Sequence, residues 1–355
     1  MKTTVDRRGF VRTLSLTGAA LAFGDLTYAF SRDEADKLPS LLVDPQGHPI
    51  TTLSGWMKQR EVIKKRWLDY LGALAPNPEP PELTILQEDR PEGVSRRYVE
   101  YEGEPGEKVR GYLLMPEKID KPLPGVVALH STSDNQMEYI AGIKKGDKAA
   151  FGYNLARQGY VVFCPQCFLW HDNEGRSWAQ QSEHFQQSHP RSKGMAKMLF
   201  DAQRAVDVLT SLEEVDASRL GAVGHSLGAK EAFYLAAFDE RIGVTVSSEG
   251  GIGINFSNWD DVWYLGKEIH EFGHYHHEVL SLVAPRPFLL MGGDKYDGEK
   301  SRPYIEAVRP VYELYGKGMA RNLALYNHRK GHSVPPEAEK KAYEWIRKYI
   351  GEQAG

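Results

Sequence analysis

The chain has 355 residues, 41% of them hydrophobic and 26% charged, and such a composition permits a large globular core. A formal net charge of -4 excludes the basic footprint of a nucleic-acid binder, and no long run of like charge marks a solvated tail. Seven Trp and 18 Tyr suit a carbohydrate or aryl binder as well as a densely packed core.

The first thirty residues read differently from the rest. Asp6-Arg7-Arg8-Gly9-Phe10-Val11-Arg12 sets an arginine pair and a phenylalanine before an apolar stretch from Leu14 to Phe23. This order resembles a twin-arginine export signal, with small residues near Ala29 for cleavage. Residues 1–30 are therefore expected to be a signal peptide, and the mature protein periplasmic or secreted. The apolar stretch is too short for a stable membrane span, and the competing reading is an amphipathic first helix.

Residues 31–94 read as an N-terminal linker and helical extension. Up to about residue 55 the chain is polar and punctuated by Pro and Gly. Trp56, Ile63, Trp67 and Leu71 then recur at helical spacing, predicting a helix packed on the main domain. Pro76, Pro78, Pro80 and Pro81 end it in a stiff connector.

Residues 95–355 alternate strand and helix signals and are expected to form one catalytic domain. Strand-like runs lie at 97–101, 109–115, 126–130, 160–164, 220–224, 244–247, 288–291 and 323–326, several of them continuously apolar. Helical stretches fall at 149–158, 194–212, 228–238, 304–315 and 337–350. Two opening strands followed by β/α alternation predict an α/β fold, a mostly parallel eight-stranded sheet flanked by helices. Residues 165–193, rich in Gln, His, Trp and Ser, read as an insertion over the site, with Trp170, His171 and Trp178 as candidates to line it.

The sharpest local signal is Gly224-His225-Ser226-Leu227-Gly228, directly after a predicted strand and before a predicted helix. That context makes a G-x-S-x-G string a nucleophile elbow, a strained turn that presents the serine oxygen at a helix N-terminus. A serine hydroxyl needs a base to become a useful nucleophile. His332 lies between the last strand and the last helix, which matches the Ser-first, His-last chain order of the α/β-hydrolase fold; His328, at the strand end, is its rival. The third member is open among Asp294, Asp297 and Glu249, each following a strand, with Asp294 the first choice. The oxyanion hole is expected from the backbone N–H of Leu227 and that of Thr132, in the loop His130-Ser131-Thr132.

Two other groupings carry weaker chemistry. Cys164 and Cys167 are spaced for a local disulfide, but no second Cys pair is present to complete a structural zinc site. His270, His274, His276 and His277 suggest a metal only loosely, since no cysteine lies near them. No metal or organic cofactor is expected.

From about residue 95 to 352 the chain resembles the α/β-hydrolase superfamily, and within it bacterial acetyl xylan esterase-like and dienelactone hydrolase-like proteins. Gly224-His225-Ser226-Leu227-Gly228-Ala229 and Leu282-Val283-Ala284-Pro285-Arg286-Pro287 carry that likeness. It also resembles glucuronoyl esterases in part, through Lys230 and through His277-Glu278-Val279-Leu280 before Ala284-Pro285-Arg286-Pro287. In those enzymes a lysine four positions after the serine contacts the sugar, and the acid stands where Glu249 does. They carry Arg where this chain has Leu227. The resemblance implies a serine carboxylic ester hydrolase working through an acyl-enzyme, on a small-molecule or polysaccharide ester such as an acetylated plant glycan. Lys230 and Trp170 are then candidate substrate contacts. Nucleic acid is not an expected partner, and no stable membrane span is expected. Other readings are a glucuronoyl esterase-like enzyme, a prolyl oligopeptidase-like peptidase, and an inactive hydrolase fold used for binding.

Overall fold

Continuous apolar runs become the strands at the middle of the sheet, because helices cover both of its faces there. The computed structural model describes residues 38–132, 136–144, 149–171 and 175–351; the twin-arginine segment lies outside the described residues. The strands are β1 (Thr84–Asp89), β2 (Val94–Glu102), β3 (Lys108–Pro116), β4 (Leu123–Leu129), β5 (Val161–Pro165), β6 (Val215–His225), β7 (Ile242–Ser248), β8 (Phe288–Gly292) and β9 (Leu323–Asn327). They pair in the order β1-β2-β3-β5-β4-β6-β7-β8-β9. The junctions β1/β2, β2/β3 and β3/β5 are antiparallel, and all the others are parallel.

The sheet thus has nine strands rather than the expected eight. The additional one, β1, is exposed at every residue, so Thr84-Ile85-Leu86-Gln87-Glu88-Asp89 carries no buried-face pattern for a sequence reading to find. As an edge strand it pairs only with β2, and three of its six side chains are Gln87, Glu88 and Asp89, polar residues that discourage edge-to-edge association. The sheet therefore begins inside the segment expected to be an extension.

Nine helices are described: α1 (Leu53–Leu71), α2 (Gln136–Ile140), α3 (Phe151–Ala156), α4 (Trp178–Ser188), α5 (Gly194–Thr210), α6 (Leu227–Phe238), α7 (His276–Ser281), α8 (Arg302–Glu313) and α9 (Pro336–Ile350). Alternation along the strands divides the core. Val126, Val162, Val223, Val246 and Leu289 face α3 and α9, whereas Val127, Phe163, Leu220 and Ala222 face α5 and α6. Helix α6 is buried at every position, which follows from its place directly behind the centre of the sheet.

Helix α1 packs as its spacing predicts, with Trp56, Ile63, Trp67 and Leu71 buried. The Thr52 hydroxyl caps it by accepting from the Gly55 N–H at 3.2 Å, and Gly72 ends it at φ 60°. Trp67 Nε1 donates to Glu278 Oε2 at 2.9 Å, and Arg60 donates to the Leu282 carbonyl at 3.3 Å, so α1 is joined to the segment around α7. Among the described residues no helix is long and apolar enough to cross a membrane.

Candidate active site

The site is assembled at the carboxyl ends of β4, β6, β7, β8 and β9, the side of an open α/β sheet on which ligands bind. β6 ends at His225, Ser226 makes the turn, and α6 starts at Leu227. Ser226 sits at φ 59° and ψ -116°, a conformation that costs a non-glycine residue on the order of 1–3 kcal/mol. The flanking glycines make the turn possible. A Cβ on Gly224 would drive into the Gly228 carbonyl, and one on Gly228 into the Leu129 carbonyl of β4.

Ser226 Oγ lies 3.0 Å from His332 Nε2, and His332 Nδ1 lies 3.3 Å from Glu249 Oε2. Glu249 directly follows β7, is wholly buried, and takes a positive φ of 54°. Its carboxylate sits in a cradle of backbone donors: Gly293 and Asp297 N–H to Oε1, and Tyr296 N–H to Oε2 at 2.9 Å. Three main-chain donors and one imidazole leave the buried charge well satisfied. The imidazole is held from both sides. The His225 ring lies 4.7 Å from it and the Tyr296 ring 4.8 Å, and the Gly331 N–H to Gly293 carbonyl bond of 2.7 Å fixes its loop.

This geometry replaces Asp294 with Glu249 as the carboxylate beside His332. Asp294 is exposed and accepts from Asn327 Nδ2 at 2.6 Å. Its turn after β8 contributes N–H donors to Glu249 rather than a carboxylate to the histidine. Asp297 is fully buried and accepts from the Gly251 and Ile252 N–H groups at 2.6 and 2.9 Å, so it braces the loop after Glu249. His328 points elsewhere, its Nδ1 accepting from the Lys330 N–H at 3.2 Å.

Leu227 N–H is the first of the helical amides that have no intrahelical acceptor. Thr132 is half-buried at the start of the loop after β4, and that loop is tied to the elbow by Ser131 Oγ donating to the His225 carbonyl at 3.1 Å. His130 is an unforeseen part of this arrangement. Its Nε2 accepts from the Cys167 N–H at 3.0 Å, so Nδ1 carries the proton toward the Ser131 carbonyl at 3.0 Å. Burial lowers its pKa to about 4, which keeps this tautomeric brace neutral at ordinary pH.

Lys230 is 3% exposed. Its ammonium donates to Ser257 Oγ at 2.7 Å and lies 3.9 Å from the centre of the Trp259 ring. Burial lowers its pKa to about 7, against the opposing pull of Asp297, Asp261 and Asp260. Ser257 and Trp259 carried no sequence signal, because only the fold brings them to the helix that follows the serine. Trp170 is half-buried with its ring 5.3 Å from His130, beside the loop of Thr132. Trp178 is half-buried next to it, whereas His171 is buried and turns away to Glu107 and the Gln166 carbonyl.

The two remaining groupings resolve into packing. Cys164 and Cys167 are free and buried, and burial pushes both thiols up. The four histidines diverge: His270 meets Asp260, His274 meets Glu278, His276 bonds Tyr234 and the Ile252 carbonyl, and His277 bonds the Pro39 carbonyl.

Residues 109–260 match the model of the Dienelactone hydrolase family. The chain is 27% identical over 259 residues to "Putative hydrolase YtaP" of Bacillus subtilis (strain 168), covering 69% of this chain and 84% of that one. Its fold is similar to that of a glucuronoyl esterase from Solibacter usitatus, with TM-score 0.65, 18% identity, and 87% of this chain and 97% of that chain covered. It is likewise similar to a putative acetyl xylan esterase from Bacteroides fragilis NCTC 9343, with TM-score 0.62, 14% identity, and 90% and 89% covered. The chain is thus an α/β-hydrolase-fold protein whose residues 109–260 carry the dienelactone hydrolase family pattern.

Proposed function

We propose that this protein is a serine hydrolase that cleaves a carbohydrate-linked carboxylic ester after twin-arginine export. The observation that carries the reading is the unbroken contact from Ser226 Oγ through His332 to the buried Glu249. Ser226 Oγ attacks the ester carbonyl carbon and its proton passes to His332 Nε2. Glu249 holds the imidazole by Nδ1 and stabilises the imidazolium without itself taking the proton. The oxyanion accepts from Leu227 N–H and from the loop of Thr132. Collapse breaks the bond to the leaving alkoxide, which takes the proton back from His332. Water, deprotonated by the same histidine, then releases the acid from the acyl-serine.

An acetyl ester is the first substrate to test, in keeping with the name of one structural neighbour. A second reading, a uronate ester, draws on two features: Glu249 as the acid, and the Lys230 ammonium one helical turn beyond Ser226. Rates on p-nitrophenyl acetate and on a methyl glucuronate ester separate the two. The acetyl reading predicts the higher kcat/KM on acetate, with Lys230→Met changing it little. A preference for the uronate ester that Lys230→Met abolishes transfers the assignment to the second reading. Turnover of neither ester, with the protein folded, overturns both.

A further inference from the structure

Next to His130, which directly follows β4, three half-buried tryptophans stand in a row that the reaction itself does not use. Trp170 lies against His130, Trp178 follows at 5.7 Å between ring centres, and Trp263 follows Trp178 at 6.0 Å. The row leads into a cleft of about 540 Å³, lined by Trp263 and by Gln186, Arg191, Lys193, Asp260 and Glu268 among others. We propose that the row Trp170-Trp178-Trp263 and the cleft beyond it form a track for a neutral polysaccharide chain, holding the glycan that carries the ester.

The chemistry of the lining selects this occupant. A pyranose ring presents an apolar C–H face that packs on indole, with hydroxyls at its rim for polar side chains to bond. Three cations of the cleft, Arg191, Lys193 and Lys267, are balanced by three anions, Asp260, Asp261 and Glu268. A charge-balanced cleft offers both donors and acceptors to hydroxyls and no net field to attract a polyanion.

The row is also held rigidly, which lowers the ordering cost of binding. Ser182 Oγ on α4 donates to the Val262 carbonyl at 3.1 Å, and Met195 N–H donates to the Tyr264 carbonyl at 2.9 Å. Gly194 permits the close approach, because a Cβ there would drive into the Trp263 backbone. Trp263 is therefore clamped between α4 and the start of α5.

The direction of the track rests on the ester-hydrolase reading, but its existence is testable without turnover. Ser226→Ala protein is titrated with xylohexaose, followed by tryptophan fluorescence and by calorimetry, with an oligogalacturonate of equal length as the charged control. The expected result is binding of xylohexaose that Trp178→Ala and Trp263→Ala each weaken at least tenfold, with the oligogalacturonate bound more weakly. Both tryptophan variants should keep a urea unfolding midpoint close to that of Ser226→Ala protein, which reports that they fold. Xylohexaose binding by a protein that cleaves no ester would uphold the track while removing the reaction. No binding, binding indifferent to both substitutions, or tighter binding of the oligogalacturonate would overturn the track.

Discussion

Replacing Glu249 by Gln should abolish most turnover while leaving Ser226 and His332 in place. A full negative charge 3.3 Å from an imidazolium nitrogen contributes 332/(20 × 3.3), about 5 kcal/mol, at an effective dielectric constant of about 20. Lost from the transition state, that corresponds to a fall in kcat/KM of roughly 10³- to 10⁴-fold. A glutamine adds a second defect. Its NH2 must take either the Oε2 place, facing His332 Nδ1 and the Tyr296 N–H, or the Oε1 place, facing the N–H groups of Gly293 and Asp297, and each of those N–H groups requires an acceptor. Turned toward His332, it selects the tautomer with the proton on Nε2, which cannot take a proton from Ser226. Turned the other way, it sets donor against donor at a cost of about 1–3 kcal/mol in stability. The assay is steady-state hydrolysis of p-nitrophenyl acetate by wild type, Glu249→Gln and Asp294→Asn, with urea unfolding of each. Asp294→Asn should stay within about threefold of wild type, since a neutral acceptor still meets Asn327. Loss of activity in Asp294→Asn with Glu249→Gln nearly unaffected would refute the reasoning.

Two stability predictions follow from the packing. Trp67→Ala should destabilise the fold by about 3–5 kcal/mol in urea unfolding, because Trp67 is fully buried and donates to Glu278. Near-neutral unfolding would show α1 to be dispensable. Glu231 is buried on α6, and burial raises its pKa to about 8. Between its ordinary value and there the folded chain keeps a proton that the unfolded chain has lost. Stability should therefore fall with rising pH across that window, by up to about 1.4 kcal/mol per unit. Glu231→Gln should flatten the slope, measured as unfolding midpoints between about pH 5 and about pH 8; an unchanged slope would contradict the assignment.

What the sequence made legible tracks how local the determining physics is. The central strands announced themselves because burial on two faces demands unbroken apolar runs, as in β4, β5 and β8. The edge strand β1 did not, since nothing in it is buried. Ser226 was readable because its strained turn needs glycine on either side, which is written in five consecutive residues. His332 was readable from chain order alone. The carboxylate was not, because Asp294, Asp297 and Glu249 all follow strands and differ only in what the folded loops offer them. Glu249 is surrounded by backbone N–H groups from a turn more than forty residues away, whereas Asp294 belongs to that turn. The surroundings of Lys230 and the alignment of Trp170, Trp178 and Trp263 are likewise products of tertiary packing.

The most direct test of the serine mechanism is to catch the acyl-enzyme. The protein is mixed with p-nitrophenyl acetate, quenched in acid within the first turnover, digested, and examined by mass spectrometry. An acyl-serine mechanism predicts one acetyl group per chain, carried on the peptide containing Ser226 and missing from Ser226→Ala, together with a burst of nitrophenol. Acetylation at another residue, or hydrolysis at the wild-type rate by Ser226→Ala, would contradict it.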